Sequence, residues 1–290
     1  MNEATIATGL RRPWLRRVRL RRPGVITVAA LFLVVVAVLA LFGPALAPID
    51  PSQVDVTAVQ LGPSGQHLLG TDALGRDVFS RILAGARSAV VGPLLIAVGS
   101  MVIGDLLGLA SGYLGGRVDW LIMRWVDLMW SMPSLFVVIV VAGITGGGYW
   151  VAVGLLLLFS IPYDTRLIRA VVLAQRNLPY IEAAEISGQG KLRIMLVHLW
   201  PNVLPVAVSN AFLNFPYALI SLVSLSFLGL GVPPGAADWG QMLNEGRAIV
   251  YTNGWLLIGS AVMVVATAVS MNLVGDKLQE RFADVGTIRA

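Results

Sequence analysis

Few residues in this chain belong to the types that carry out covalent or metal chemistry. There is no cysteine, and the two histidines are His67 and His198. The lack of cysteine excludes disulfides, thiolate metal sites and cysteine nucleophiles. The histidines stand in different loops rather than in a His-Glu-x-x-His pair, and no apolar segment carries a Gly-x-Ser-x-Gly elbow. The sequence therefore argues against a zinc protease or a serine hydrolase.

A nucleotide-hydrolysing motif is also missing from the sequence. A phosphate-binding P-loop needs Gly-x-x-x-x-Gly-Lys followed by serine or threonine. Here Gly190-Lys191 is followed by leucine, and Glu185 stands where the first glycine would be. We therefore expect a non-catalytic chain with no cofactor of its own, and any ATP-driven work has to be powered by another polypeptide.

Three charged residues stand inside otherwise apolar segments, namely Asp105, Arg124 and Asp127. A charge near the centre of a membrane helix costs about 2.5–3.5 kcal/mol on insertion scales, so each needs a partner or water. Arg124 and Asp127 are three residues apart, hence on one helical face and able to pair. For all three residues two interpretations stay open: polar contacts between helices or subunits, and a place along a solute path.

The polar loop at 176–202 has the pattern of two short helices. Pro179 fits a first helical turn, Glu182 suits the positive end of a helix dipole, and Gly188 is a natural left-handed stop. Residues 191–199 can form the second helix before the next apolar run. We expect the first helix to lie along the membrane face. Its small apolar contacts to a cytosolic partner would come from Ile181, Ala184 and Ile186.

The elements that must position these residues are membrane helices. The sequence is 57% hydrophobic and 13% charged, whereas roughly a quarter of the residues in soluble domains are charged. About 20 apolar residues span the hydrocarbon, and a glycine turn at 146–148 divides the longest uncharged stretch. We predict six spans, near 25–46, 90–113, 120–144, 149–172, 203–230 and 255–274.

The distribution of basic residues predicts how these spans are oriented. Arginine is dense before residue 23, and basic residues dominate the loop at 176–202 and the end of the chain. By the positive-inside rule these parts are cytoplasmic, and 48–88 and 231–253 are external. The basic excess therefore indicates orientation rather than nucleic-acid binding. The predicted organisation is an Arg-rich tail at 1–24, a first span at 25–47, an external segment at 48–88, a five-span core at 89–275 and a cytoplasmic tail at 276–290.

Four further features leave testable expectations. The first apolar run ends in Ala45-Leu46-Ala47, like a signal peptide, but it exceeds the ~7–15 residues of a signal core, so we expect a retained span. Glycines at 99, 104, 108 and 112 predict close helix packing, within the chain or against a partner. Asp164 and Arg166 are expected at the cytoplasmic interface, with Arg169 reaching lipid headgroups. The segment at 71–87 either caps a path or merely connects two elements.

The loop sequence resembles that of a known transporter family. Glu182-Ala183-Ala184 followed by Gly188, and then by the block at 198–202, is similar to the EAA loop of bacterial ABC-importer permeases. The blocks at 70–81, 112–119 and 226–234 resemble segments of dipeptide, oligopeptide and nickel importers. The whole is similar to their C-type permease subunit over about residues 25–280. The chain departs from the pattern at Glu185, Ile186 and Ser187, where the family usually has a basic residue and a leucine before the glycine.

This resemblance implies an all-α integral membrane protein of the bacterial inner membrane, with six transmembrane helices and the type I ABC importer permease fold. It implies ATP-driven import of peptides or peptide-like solutes, with a second permease subunit, two ATPase domains that bind ATP and Mg, and an extracytoplasmic solute-binding protein as partners. An ATP-independent secondary transporter is the alternative, although the two halves show no inverted repeat. The residues implied to couple to the ATPase are Tyr180, Ile181, Glu182, Ala183, Ala184, Glu185 and Gly188.

Overall fold

The computed structural model describes residues 23–288, and their side chains over 24–282. The arginine-rich tail before residue 23 and Arg289 lie outside the described residues. Within them, all regular structure is helical apart from one isolated bridge between Thr71 and Asp77. The helices are α1 Pro23–Leu46, α2 Val78–Leu114, α3 Gly116–Trp130, α4 Ser134–Thr145, α5 Tyr149–Gln175, α6 Pro179–Ile186, α7 Lys191–Arg193, a π-helix Ile194–Leu199, α8 Trp200–Phe227, α9 Trp239–Ala248 and α10 Trp255–Ile288.

Five helical segments of the described chain are long and apolar enough to cross a membrane, and a bent pair makes a sixth span if it is counted as one. The bent pair is α3 with α4, which meet at 74°. The span predicted near 120–144 is therefore broken between α3 and α4 rather than continuous. Pro133 precedes α4 in an extended conformation, and proline both lacks an N–H and disfavours helix in the residue before it. The helix breaks at this point for that reason.

Three other boundaries differ from the sequence predictions. Span two begins at Val78, because the side chain of Asp77 caps it by accepting from the N–H of Ser80 at 2.8 Å. The helix that contains span two thus extends into the predicted external segment. The expected second short helix of the loop is instead continuous with span five, over Lys191–Phe227. The last helix continues to Ile288, into the predicted tail.

Helices α2 and α5 approach closely along the glycine row of α2. A Cβ added at Gly104 would lie 2.4 Å from the Cβ of Asp164, and one at Gly108 would lie 2.7 Å from that of Ile168. Gly99 and Gly112 meet α5 side chains in the same way, at 2.9 and 2.8 Å. Small residues permit such contact between membrane helices. The glycine row therefore packs within the chain, which decides between the two alternatives.

The segment at 48–77 is fixed to the loop between α9 and α10 by one buried amide. The Asn253 side chain, 2% exposed, donates to the carbonyl oxygens of Leu61, Leu69 and Thr71 at 3.2, 3.2 and 2.9 Å. Its Oδ1 accepts from the N–H of Trp255 at 3.1 Å. One side chain thereby supplies partners for backbone groups that are remote in sequence.

We expect Asn253→Ala to destabilise the fold by about 1–3 kcal/mol, since it leaves buried carbonyl groups without donors. The purified chain in detergent should aggregate at a lower temperature, measured by size-exclusion chromatography after heating. Asn177→Ala is the control, because Asn177 is exposed in a loop. Equal aggregation temperatures for the two variants would contradict the structural role of Asn253.

Candidate functional site

Helix α6 is a short helix whose two ends are fixed by local sequence. Pro179 occupies its first turn, and the Ile181 N–H bonds to the carbonyl of Leu178 at 2.9 Å. Gly188, at φ +73°, ends it in a Schellman motif. The Gly188 N–H bonds to the Glu185 carbonyl at 3.0 Å, and the Gln189 N–H bonds to that of Ala184 at 3.2 Å. The predicted left-handed stop at Gly188 is confirmed.

One face of α6 is buried against the chain itself. Ile181 is 0% and Ala184 5% exposed, and both belong to an apolar cluster with residues of α2, α5, the π-helix and α8. The expectation that these two side chains offer contacts to another protein was wrong, because positions three apart share one helical face and that face points inward. Ile186 is 87% exposed, and Glu182, Ala183 and Glu185 are exposed beside it.

Polar contacts join α6 and its flanking loop to three long helices. Tyr113, at the end of α2, donates to Glu185 Oε1 at 2.8 Å. Tyr180 donates to Gln175 Oε1 at 3.1 Å and accepts from Asn202 Nδ2 at 3.4 Å. Partial burial raises the pKa of Tyr180 above its ordinary value. Glu185, one of the departures from the family pattern, is thus bound to this chain and is oriented by it.

The connection from α6 to α8 contains the π-helix Ile194–Leu199. The His198 ring hydrogen-bonds through Nε2 to Gln189 Oε1 at 2.8 Å, just beyond the end of α6. Asn202 Nδ2 donates to the carbonyl of His198 at 2.8 Å, one turn into α8. Isolated π-turns are rare and frequently lie at functional sites. The end of α6 is therefore tied to the start of α8 through side chains as well as through the backbone.

The charged residues of the spans have other partners than those predicted. Asp127 pairs with Arg166 of α5, whose guanidinium also lies 4.1 Å from the centre of the Trp130 ring. The predicted pair with Arg124 is therefore wrong, since the packing of α3 on α5 places Asp127 beside Arg166 instead.

Arg169 does not reach outward to headgroups as expected. Its Nε and Nη2 donate to Asp119 at 2.6 and 2.7 Å, a two-pronged contact that suits a planar guanidinium. The pair joins α5 to the start of α3. Together with the pair of Asp127 and Arg166, it holds both ends of α3 against α5.

The two buried carboxyl groups lie between helices. Asp105 is 3% exposed, and no described residue bonds to its Oδ1. Asp164 is 2% exposed, so its predicted interfacial position was wrong. Its Oδ1 accepts from Asn210 at 2.5 Å and from Asn214 at 2.9 Å.

Sequence reasoning missed Asn210 and Asn214. A signal for them existed, because two amides one helical turn apart in an apolar span are costly unless they have polar partners. Both amides also line a cavity of about 460 Å³ between the α3–α4 break, α5 and α8. The residues lining that cavity are Met129, Trp130, Met132, Ser134, Leu156, Phe159, Ser160, Tyr163, Asn210, Leu213, Asn214 and Tyr217.

Comparison with known proteins shows which family the sequence matches. Residues 104–284 match a family model described as the binding-protein-dependent transport system inner membrane component. The chain is 35% identical over 252 residues to a probable D,D-dipeptide transport system permease protein of Escherichia coli K12, covering 87% of this chain and 85% of the relative. It is 36% identical to a di/tripeptide transport system permease protein of Pseudomonas aeruginosa, with 86% and 84% covered. It is 34% identical to a glutathione transport system permease protein of Pectobacterium atrosepticum, with 97% and 92% covered.

Proposed function

The chain belongs to the family of binding-protein-dependent transport system inner membrane components, and from this premise we propose that it forms half of the solute path of an ATP-driven importer of peptides or peptide-like solutes. It is a multi-span permease subunit of an ABC importer, as its relatives are. The names of those relatives, which refer to dipeptides, tripeptides and glutathione, support the solute class.

The partners that we propose are a second permease subunit, two ATPase domains and an extracytoplasmic solute-binding protein. Permease subunits of this family are generally non-catalytic, and the sequence lacks a P-loop, so ATP and Mg would bind to the ATPase partner. We place both termini and α6 in the cytoplasm on the distribution of basic residues. In that orientation the segments at 48–77 and 231–254 face the binding protein.

Force from the ATPase would enter through α6, and the observation that carries this proposal is the division of α6 into two faces. Ile181 and Ala184 anchor it in a cluster shared with α2, α5 and α8. Ile186, Ala183 and Glu182 are exposed on the other side, where a partner could bury them. Because the anchored face is close-packed, a displacement of α6 is passed to the long helices rather than absorbed.

The test is Ile186→Asp in the importer assembled from all its subunits. A carboxylate buried at an apolar contact without a partner is strongly unfavourable, so we expect at least a tenfold loss of ATPase co-purified with this chain. Val56→Asp is the control, since Val56 is 80% exposed but lies in the segment at 48–77. Undiminished co-purification with Ile186→Asp would exclude α6 as the docking element.

The same preparation separates the proposal from ATP-independent secondary transport. Membrane vesicles containing both permeases without the ATPase should show no concentrative uptake, and the complete importer should show uptake only with ATP and binding protein present. Uptake driven by an ion gradient in the absence of ATPase would favour the secondary transporter.

A further inference from the structure

We propose that the cavity between the α3–α4 break, α5 and α8 is a low-affinity site for the backbone of a short peptide, with Asn210, Asn214, Tyr163 and Tyr217 as its hydrogen-bonding groups. This inference rests on the proposed function and assigns to this chain a specific part of the path. The cavity volume of about 460 Å³ falls within the roughly 300–1,000 Å³ of small-molecule pockets.

Asp164 fixes the direction in which the two amides point. Its carboxyl Oδ1 accepts from the Nδ2 atoms of both Asn210 and Asn214, so the NH₂ groups face the buried carboxyl group. The two Oδ1 atoms consequently point away from it, and no described residue donates to either of them. A carbonyl acceptor held in one orientation beside a cavity is suited to a peptide N–H.

Two phenols supply the complementary donors. Tyr163 and Tyr217 line the cavity and are 48% and 52% exposed. Neither hydroxyl bonds to another group in the part of the chain that the structure describes. Phenol donors with amide acceptors match the C=O and N–H groups that every peptide carries, and all four groups are uncharged. The site would therefore recognise the peptide backbone rather than a particular charged side chain.

The remaining walls fit a solute whose side chains vary. Met129 and Met132 come from the α3–α4 break, and methionine adapts its shape to different neighbours. The guanidinium of Arg166 lies over the ring of Trp130 and pairs with Asp127. The side chains of this pair are 38% and 53% exposed, which is costly against lipid but not against water or a second subunit. The rim of the cavity at Arg166 and Asp127 is thus polar, and we expect it to face water or a second subunit rather than lipid.

The test uses the complete reconstituted importer, with dialanine, trialanine and glutathione as probes and the best-transported one carried forward. We expect Asn214→Leu to lower uptake below saturation about tenfold, as the loss of a hydrogen bond in a desolvated site implies. ATPase stimulation by the binding protein should remain within about twofold of wild type. Asn272→Leu is the matched control, because Asn272 is exposed on α10 and does not line the cavity.

A second variant guards against misfolding of the first. Tyr163→Phe with Tyr217→Phe removes only two hydroxyl groups and leaves the contacts of Asp164 intact, and we expect the same selective loss of uptake. Wild-type uptake in both variants would overturn the peptide site while leaving the importer function standing. A wild-type importer that takes up none of the probes with ATP would overturn the proposed function, and the site with it.

The lack of native cysteine allows a direct probe of the cavity. In Ser160→Cys, a water-soluble methanethiosulfonate should label this chain, and saturating dialanine with binding protein should slow the labelling about tenfold. Val34→Cys, exposed on the apolar helix α1, should stay unlabelled because it faces lipid. An unlabelled Ser160→Cys, or labelling that the peptide does not slow, would exclude a solute site here.

Discussion

Replacement of Gly188 by valine is expected to abolish ATP-driven uptake while the subunits still assemble. The residue has φ +73°, a conformation that costs an L-residue about 1–2 kcal/mol and a β-branched one more. A valine at this position would lose the Schellman bonds that end α6 and shift its exposed face relative to the anchored one. Since a misplaced contact can cost about 100-fold in rate, the predicted loss of uptake is at least tenfold.

The control for this prediction lies two residues away. Gly190 has φ −66°, and a Cβ at either glycine would meet nothing within 4 Å. Gly190→Val therefore adds the same side chain without the backbone strain and should transport normally. Gly188→Asn should retain part of the activity, because asparagine tolerates the left-handed region. Uptake by Gly188→Val equal to that of Gly190→Val would refute a role for the shape of this turn.

The spans could be predicted because lipid imposes a single requirement of length and hydropathy. The ends of the helices were harder to predict, since each end depends on a single capping residue. Asp77 moved the start of α2 earlier than the apolar run indicated. Pro133 is visible in the sequence, but the angle of 74° between α3 and α4 that follows it depends on how α3 packs on α5. A hydropathy window averages over both effects.

The features of the candidate site that could be predicted from sequence are likewise the local ones. Gly188 could be read from sequence because a left-handed stop is local chemistry. The inward direction of Ile181 and Ala184 could not, because it depends on the cluster formed by distant helices. Asp164 was misplaced for the same reason: its burial follows from Asn210 and Asn214, 46 and 50 residues away. Spacing within one helix finds neighbours, whereas partners across helices require the packing.

Arg81 closes the other end of the bundle with a buried ionic network. The side chain is 0% exposed, and its Nη1 donates to Asp72 Oδ2 at 2.5 Å and to Glu245 Oε2 at 2.6 Å. Arg76 also bonds to both carboxylates, at 2.7 and 2.9 Å. The network joins the loop before α2 to α9. Two buried guanidinium groups thus neutralise two carboxylates, Asp72 and Glu245, that are remote from each other in sequence.

Arg81→Met is expected to lower stability more than any other single change proposed for this chain. Breaking a buried ionic network by removing one partner costs about 3–5 kcal/mol, here because two carboxylates then share the single guanidinium of Arg76 and Asp72 stays buried. For a chain of this size that corresponds to a fall of about 10 °C in unfolding temperature. The measurement is the midpoint of aggregation in detergent, followed by size-exclusion chromatography after stepwise heating.

Arg87→Met supplies the comparison, since Arg87 is exposed on the same helix, α2. A double variant separates the lost charge from the lost packing. Without Arg81, the carboxylates of Asp72 and Glu245 share Arg76 as their one guanidinium partner. Adding Glu245→Gln to Arg81→Met restores one carboxylate per guanidinium and should recover part of the lost stability, as a coupled pair in a mutant cycle does. If the double variant were less stable by the sum of both single effects, the two residues would be acting independently. The network would then not hold α9 to α2, and this end of the bundle would owe its shape to apolar packing, chiefly that of the buried Trp239 against α2.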